Sequence, residues 1–418
     1  MNLLEMVAGN QIDKTGEVKK LSIPGNANSE YNVYAIPLKH LYYNDQNGRI
    51  NTSYKKYKSE NGELTPEAGD SKYNEIFERF IFDSNESKMK DTITSIKEKN
   101  QQEPGVVLPD GRVIDGNRRF TALRRLQKES GIPQTFNAVI LRLDVQSKTD
   151  EKKIKEIELD LQLGREARVD YSPIDRIYDV YNTIVVEKLM TKEEYRKASG
   201  TKDSRGINRD IRLAELILKF INIVSPGDDA INRFYLANDL KLDGPIEEIS
   251  STIDKLKTHD KEAITEAVLV HLAATKTDET QKDSTRVMRD LKTNVLKNPQ
   301  ILQYYLTAVD DNVDTFIESF VANPIQSASD LKKFIDQDDT LRETVKKLKK
   351  STDRLIFKGQ TDSERRRSLI ELEDLRDKLE NLSADDFSEL TTDENIEAKE
   401  ILREITDILY KLKNDLKI

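Results

Sequence analysis

Between Pro104 and Lys128 the apolar rhythm of the chain changes within two residues. "VVLPDGRVID" reads as two short strands, Val106 to Leu108 and Arg112 to Ile114, turned back on each other at Asp110-Gly111. From Gly116 onward Phe120, Ala122, Leu123 and Leu126 recur at helical spacing. A hairpin running directly into an amphipathic helix calls for a sheet with a helix packed on it, an α+β unit. "YNVYAIPLKHLYYN" and "FNAVILRLD" supply further strands, and "SKMKDTITSIKEKN" a further helix with Met89, Ile93 and Ile96 on one face. Residues 1–150 are therefore expected to form one α+β domain. The polar stretch at about 50–87 is expected to be an inserted loop carrying one short helix.

After residue 150 the period is helical throughout. "SPIDRIYDVYNTIVVEKL" opens with Ser172 as an N-cap and Pro173 in the first turn. "MTKEEYRKASGTKDSRGINRDIRLAELI" gives a short helix, a glycine-bearing turn at Gly200 and a second helix from about Ser204, the pattern of a helix-turn-helix. Residues 151–225 are assigned to that unit and 226–345 to a helical domain without a motif. Residues 346–418 are assigned to a C-terminal helical hairpin, in which Ile401, Ile405, Ile408, Leu412 and Leu416 form a near-heptad stripe. That stripe is expected either to pack on its own chain or to make a homodimer.

Composition closes several routes. With no cysteine there are no disulfides, thiolate metal sites or cysteine nucleophiles, and His40, His259 and His271 are too scattered for a histidine metal cluster. No stretch is long and apolar enough to span a membrane, and the first residues lack the apolar core of a signal peptide, so a cytoplasmic protein without membrane partners is expected. The formal net charge of -9 argues against a uniformly basic coat, so a nucleic-acid contact needs a confined basic face.

One such face follows Gly116. A glycine there lets the backbone approach a ligand closely, and the helix start behind it presents N–H groups and a positive dipole end. Arg118 and Arg119 add bidentate donors suited to phosphate oxygens, and Arg112, Arg124, Arg125 and Lys128 outnumber Asp110 and Asp115 nearby. The alternative is a solvated basic helix behind a turn glycine. A second basic stretch runs from Lys188 to Lys219, with nine lysines and arginines against five acidic residues. Ser204, Arg205 and Asn208 stand where a recognition helix meets base edges, with Lys202 and Arg209 placed for phosphates. Here the alternative is a helical hairpin with a solvated charged face, and "GTKDSRG" is a loose connection for the motif.

Five successive segments carry a resemblance. "PGVVLPDGRVIDGNRRFTALRRL" resembles the Gly-Glu-Arg-Arg core of ParB-type partition proteins and the wider ParB/sulfiredoxin-like superfamily. Upstream, Asn44, Gln46 and Arg49 resemble the Asn-Pro-x-Gln-Pro-Arg segment, and Ser95, Ile96 and Pro104 match the helix before the strand pair. Downstream, Leu161, Gln162, Asp170, Pro173 and Ile174 resemble the Glu-Asn-Leu-Gln-Arg to Pro-Ile-Glu region, and the helix-turn-helix follows in its family place. The resemblance spans about residues 33–220. It implies a ParB/sulfiredoxin-like nucleotide-binding domain followed by helical domains, with a nucleoside triphosphate (CTP or ATP) and magnesium as cofactors.

By the same resemblance Gly116, Arg118 and Arg119 hold the phosphates, Arg49 reaches the same anion, and Asp160 takes the magnesium. Asp115 and Asn117 are the candidate catalytic positions, although Asn117 stands in place of the family glutamate and Leu159 in place of a metal-side acid, which puts hydrolysis in doubt. Three function classes remain open. One is a ParB-like, nucleotide-gated protein that binds double-stranded DNA as a homodimer. Another is an enzyme on the same fold, a phosphotransferase or nuclease of DNA modification or phage defence. The third is a non-catalytic interaction protein with a vestigial anion site.

Overall fold

In the computed structural model, residues 2–23, 26–48, 50–66, 71–144, 147–163, 172–227, 229–278, 283–387 and 390–416 are described. The first part is α+β. Its elements are α1 (Leu3–Ala8), β1 (Asp13–Ile23), β2 (Asn26–Pro37), β3 (Tyr42–Tyr43), α2 (Asn51–Asn61), α3 (Ser71–Ser84), α4 (Glu86–Lys99), β4 (Gly105–Val107), β5 (Arg112–Asp115), α5 (Asn117–Ser130), β6 (Thr135–Ile140) and α6 (Lys148–Leu163). Six strands form one mixed sheet in the order β1-β2-β6-β4-β5-β3. β4 and β5 are the antiparallel hairpin read from the sequence, while β3 runs parallel to β5 with Tyr42 opposite Arg112 and Tyr43 opposite Val113.

Both faces of the sheet are covered, which explains why β4 is apolar at every position. Val107 and Val113 join Phe77, Phe120 and Phe136 in the core beneath α3, α4 and α5. Val106, Ile114 and Val139 point the other way, against Ile154 and Ile157 of α6. The period of two along each strand thus sorts its side chains between two cores.

The stretch at 50–87 departs from the expected loop. It holds two helices, α2 and α3, and Tyr73, Phe77 and Ile81 of α3 are buried at four-residue spacing. Burial of those aromatic and aliphatic side chains makes the segment part of the main core.

The remainder is helical: α7 (Pro173–Tyr181), a π-helical turn (Asn182–Val186), α8 (Lys192–Ala198), α9 (Arg205–Val224), α10 (Tyr235–Asp239), α11 (Asp243–Lys255), α12 (Lys261–Lys276), α13 (Ser284–Leu291), a second π-helical turn (Lys292–Leu296), α14 (Pro299–Ala322), α15 (Ala328–Gln337), α16 (Asp339–Arg365), α17 (Arg367–Asn381) and α18 (Thr392–Asp415). Ser172 caps α7 by accepting from the Asp175 N–H, with Pro173 in the first turn as the sequence indicated. One apolar core runs from Ile174 in α7 through the second half of α9 to Leu348 in α16, continuous across position 225. α16 also runs unbroken through position 345.

α18 is set apart from that core. It has no buried residue, and Ile401, Ile408, Leu412 and Leu416 are 47%, 62%, 38% and 56% exposed. Its apolar stripe is not packed on its own chain among the described residues. No described helix is long and apolar enough to cross a membrane.

Candidate nucleotide and nucleic-acid sites

The turn after β5 lies at the carboxyl ends of the parallel pair β3 and β5, the edge at which open α/β sheets hold ligands. Gly116 joins strand to helix in a left-handed conformation, φ +93°. A Cβ there would sit 2.9 Å from Phe136 Cζ and 3.3 Å from Arg119 Nε, so only glycine fits both the dihedral and the space. Asp115, Asn117, Arg118 and Arg119 are therefore brought together on one turn.

Their chemical situations differ. Arg119 braces the turn: its Nη2 donates to Asp115 Oδ2 at 3.0 Å and its Nη1 to the Glu103 carbonyl. Lys19, from β1, approaches the same Asp115 carboxylate at 3.9 Å and also donates to the Pro104 carbonyl. Arg118 is half-buried on the first turn of α5. Asn117 is 8% exposed, and its Oδ1 is buried without a hydrogen-bond partner among the described residues.

The surplus of basic residues around this turn is largely internal to the fold. Arg112 is buried and donates to Asp45 at 2.7 Å and to Asn44 at 3.3 Å. Arg124, Arg125 and Lys128 converge on the buried Glu78 at 3.0, 3.3 and 3.8 Å. Asn44, matched to a family position, thus helps hold Arg112. Gln46 instead lines a polar cavity of about 330 Å³ with Asp45, Lys55, Lys155, Glu158 and Asp179. Burial pushes the Glu158 carboxyl above its ordinary range, opposed by Lys155 at 3.6 Å, and Glu158 also accepts from the Gly48 N–H.

That bond ties the loop after β3 to α6. Asp160 is half-buried near the end of α6, while its neighbour Leu159 is buried among Val180, Tyr195 and Ile207. Arg49 and Asp170 lie outside the described residues. Among the described residues no group of three or more acidic or histidine side chains is arranged to hold a metal ion.

The second candidate site is the start of α9. α8 begins in a capping box made by Thr191 and Glu194, and residues 199–204 connect it to α9. Lys202, Ser204, Arg205, Asn208 and Arg209 all lie in that connection or the first turns of α9. Arg205 is paired with Asp203 at 2.7 Å, and Asn208 accepts from Lys192 at 2.8 Å. Arg209 is mostly buried, with Asp210, Asp386 and Glu247 at 3.7, 3.9 and 4.0 Å and an Nε that has no hydrogen-bond acceptor among the described residues. Much of the local positive charge is thus answered by acids, near in sequence at Asp203 and Asp210 and remote at Glu247 and Asp386. Lys192 is the polar neighbour the sequence did not single out.

The sequence matches no protein-family profile and no curated protein. Among solved structures the chain is similar to the crystal structure of the C-terminally truncated chromosome-partitioning protein ParB from Caulobacter crescentus, complexed to the centromeric parS site. The identity is 15%, over 61% of this chain and 96% of that one, with a TM-score of 0.29. An overlay this loose places no residue of one chain on a residue of the other.

Proposed function

We propose that this chain is a ParB-like, nucleotide-responsive protein that binds double-stranded DNA through α8 and α9 as a helix-turn-helix. The observation that carries the nucleotide half is Gly116. Its left-handed turn sets the uncapped start of α5, with Arg118 in its first turn, at the carboxyl edge of a parallel strand pair. The buried, unpartnered amide oxygen of Asn117 fits a ligand that brings its own donor, as a ribose hydroxyl or a base amino group does.

The family resemblance adds magnesium, carried in on the nucleotide. That ion binds readily through phosphates, waters and one carboxylate, and Asp160 would be the carboxylate. When bound, the ion would offset charge on the phosphates. Arg119, held by Asp115, would keep the turn in shape around them. For DNA the support is the basic stretch at the start of α9 and the five-segment resemblance.

Calorimetric titration with CTP, ATP, GTP and ADP plus magnesium, with and without duplex, tests the reading. Arg118→Ala is expected to weaken the nucleotide that binds by about 1.5–3 kcal/mol, one charge-assisted contact. Unchanged affinity would remove the phosphate site. Loss of γ-phosphate to an acceptor, or cut DNA in the same mixtures, would replace a binding protein with an enzyme.

A further inference from the structure

The start of α9 is occupied from far along the chain. After α17, the segment at Ser383 to Asp386 folds back across the connection between α8 and α9. Asp385 Oδ1 accepts from the Lys202 backbone N–H at 3.0 Å. Arg205 lowers the Asp203 carboxyl below its ordinary range, and the Ala384 N–H donates to that same carboxylate. Asp386 stands 3.9 Å from Arg209 Nη2. Asn381 accepts from Arg212 Nη2 at 3.3 Å, one turn further along α9. Ser383 is buried, with its Oγ 4.0 Å from where a Cβ on Gly206 would be.

The turn is also built to hold its shape. Ser383 N donates to Asp386 Oδ2 at 2.8 Å, and Asp385 N donates to Ser383 Oγ at 3.2 Å. On the other side, α9 has no acidic residue in its first turn and no side-chain cap from Ser204. Asp203 Oδ1 accepts from the Arg205 N–H at 2.8 Å, and the two carboxylates of the 383–386 turn add negative charge beside the positive end of α9, at the Lys202 N–H and at Arg209, as a helix dipole favours.

We infer that the Ser383–Asp386 turn is an intramolecular stand-in for DNA phosphates: it covers the duplex-contacting end of α9 and has to leave before DNA engages. The inference rests on the duplex reading of α9. Lys202 and Arg209, the residues placed to meet a phosphate backbone, are those the turn engages, Asp385 at the Lys202 backbone N–H and Asp386 beside the Arg209 guanidinium. A duplex and the turn therefore compete for one surface, and the closed chain binds DNA weakly because binding must first displace its own acids.

The test uses full-length protein and a labelled random-sequence duplex, followed by fluorescence anisotropy. Asp385→Asn with Asp386→Asn removes two charges and keeps the shape of the turn. It is expected to raise duplex affinity on the order of tenfold. A lock provides the converse. The chain has no cysteine, so Gly206→Cys with Ser383→Cys introduces a lone pair close enough to bridge with a small shift. Oxidised, this variant is expected to lose duplex binding, and reduced, to regain it. Equal affinities for parent and double-asparagine variant, with binding unaffected by the lock, would overturn the stand-in and leave the duplex reading intact. No duplex binding by parent, asparagine variant or reduced cysteine variant would overturn both. Far-ultraviolet dichroism of the same samples confirms that they are folded.

Discussion

At the scale of single residues, the clearest signal is a histidine that takes no part in either site. His271, in α12, is fully buried and neither ring nitrogen has a hydrogen-bond partner among the described residues. Burial, aided by Lys349, pushes it down to about 4. The unfolded chain takes up that proton first, so stability falls by roughly 3 kcal/mol as pH drops from about 6.5 to about 4. Asp175 works in the opposite sense. Burial raises it to about 6, so the folded state binds its proton first and gains stability as pH falls toward 4. The parent curve sums the two. Subtracting the denaturation curve of His271→Leu isolates the histidine, and the difference is expected to grow steadily between pH 6.5 and 4. A flat difference would show that His271 is hydrated or partnered in solution. The residue scale is also where sequence reading ran out. Gly116 and the arginines behind it were legible because a local turn fixes them. The partners of Arg112, Arg124 and Arg209 were not, because Asp45, Glu78 and Asp386 reach them by tertiary folding.

Elements show the same division. The β4–β5 hairpin and α5 were legible from a change of apolar period, and α9 from its long apolar face. β1 was not: an edge strand paired on one side alternates polar residues with few apolar ones, as "DKTGEVKKLSI" does. α2 was missed because it buries only Thr52, so no stripe marks it. α18 is the converse, a stripe with no core to receive it. An isolated helix in water is marginal, and one exposing isoleucines at 401 and 408 has an additional reason to find a partner. Spacings of four, three and four residues suit a short two-stranded coil, and a second copy of α18 supplies the matching seam. Sedimentation is expected to give a dimer for the full chain and a monomer for Ile401→Asp with Ile408→Asp. Hydrogen exchange outside α18 should be unchanged, since no residue of α18 is buried. A monomeric parent would leave the stripe to a different protein.

Across the whole molecule, what differs between the body and its C-terminal arm is the kind of force that holds each. The helical body shares one apolar core from α7 to α16. In α17 only Ile370 is buried. α17 is instead tied down by charge: Lys255 meets Asp377 and Glu380 at 2.8 and 2.6 Å, and Lys292 and Lys297 meet Asp374 at 3.3 and 3.0 Å. Apolar burial is not weakened by added salt, whereas solvent-open ion pairs, such as those of Lys255, weaken as the screening length shrinks from ~10 Å at 0.1 M to ~3 Å at 1 M. Hydrogen exchange is accordingly expected to quicken in α17 between those salt concentrations while α12 stays protected. Exchange in α17 that ignores salt would show that its anchorage is not ionic. An arm fastened by charge makes the molecule a reader of its ionic surroundings. Salt loosens the acidic turn at the end of α17 and, separately, weakens any hold on a phosphate backbone. The two effects oppose each other, so duplex affinity against ionic strength is expected to rise to a maximum and then fall, where an uncovered basic helix would only decline.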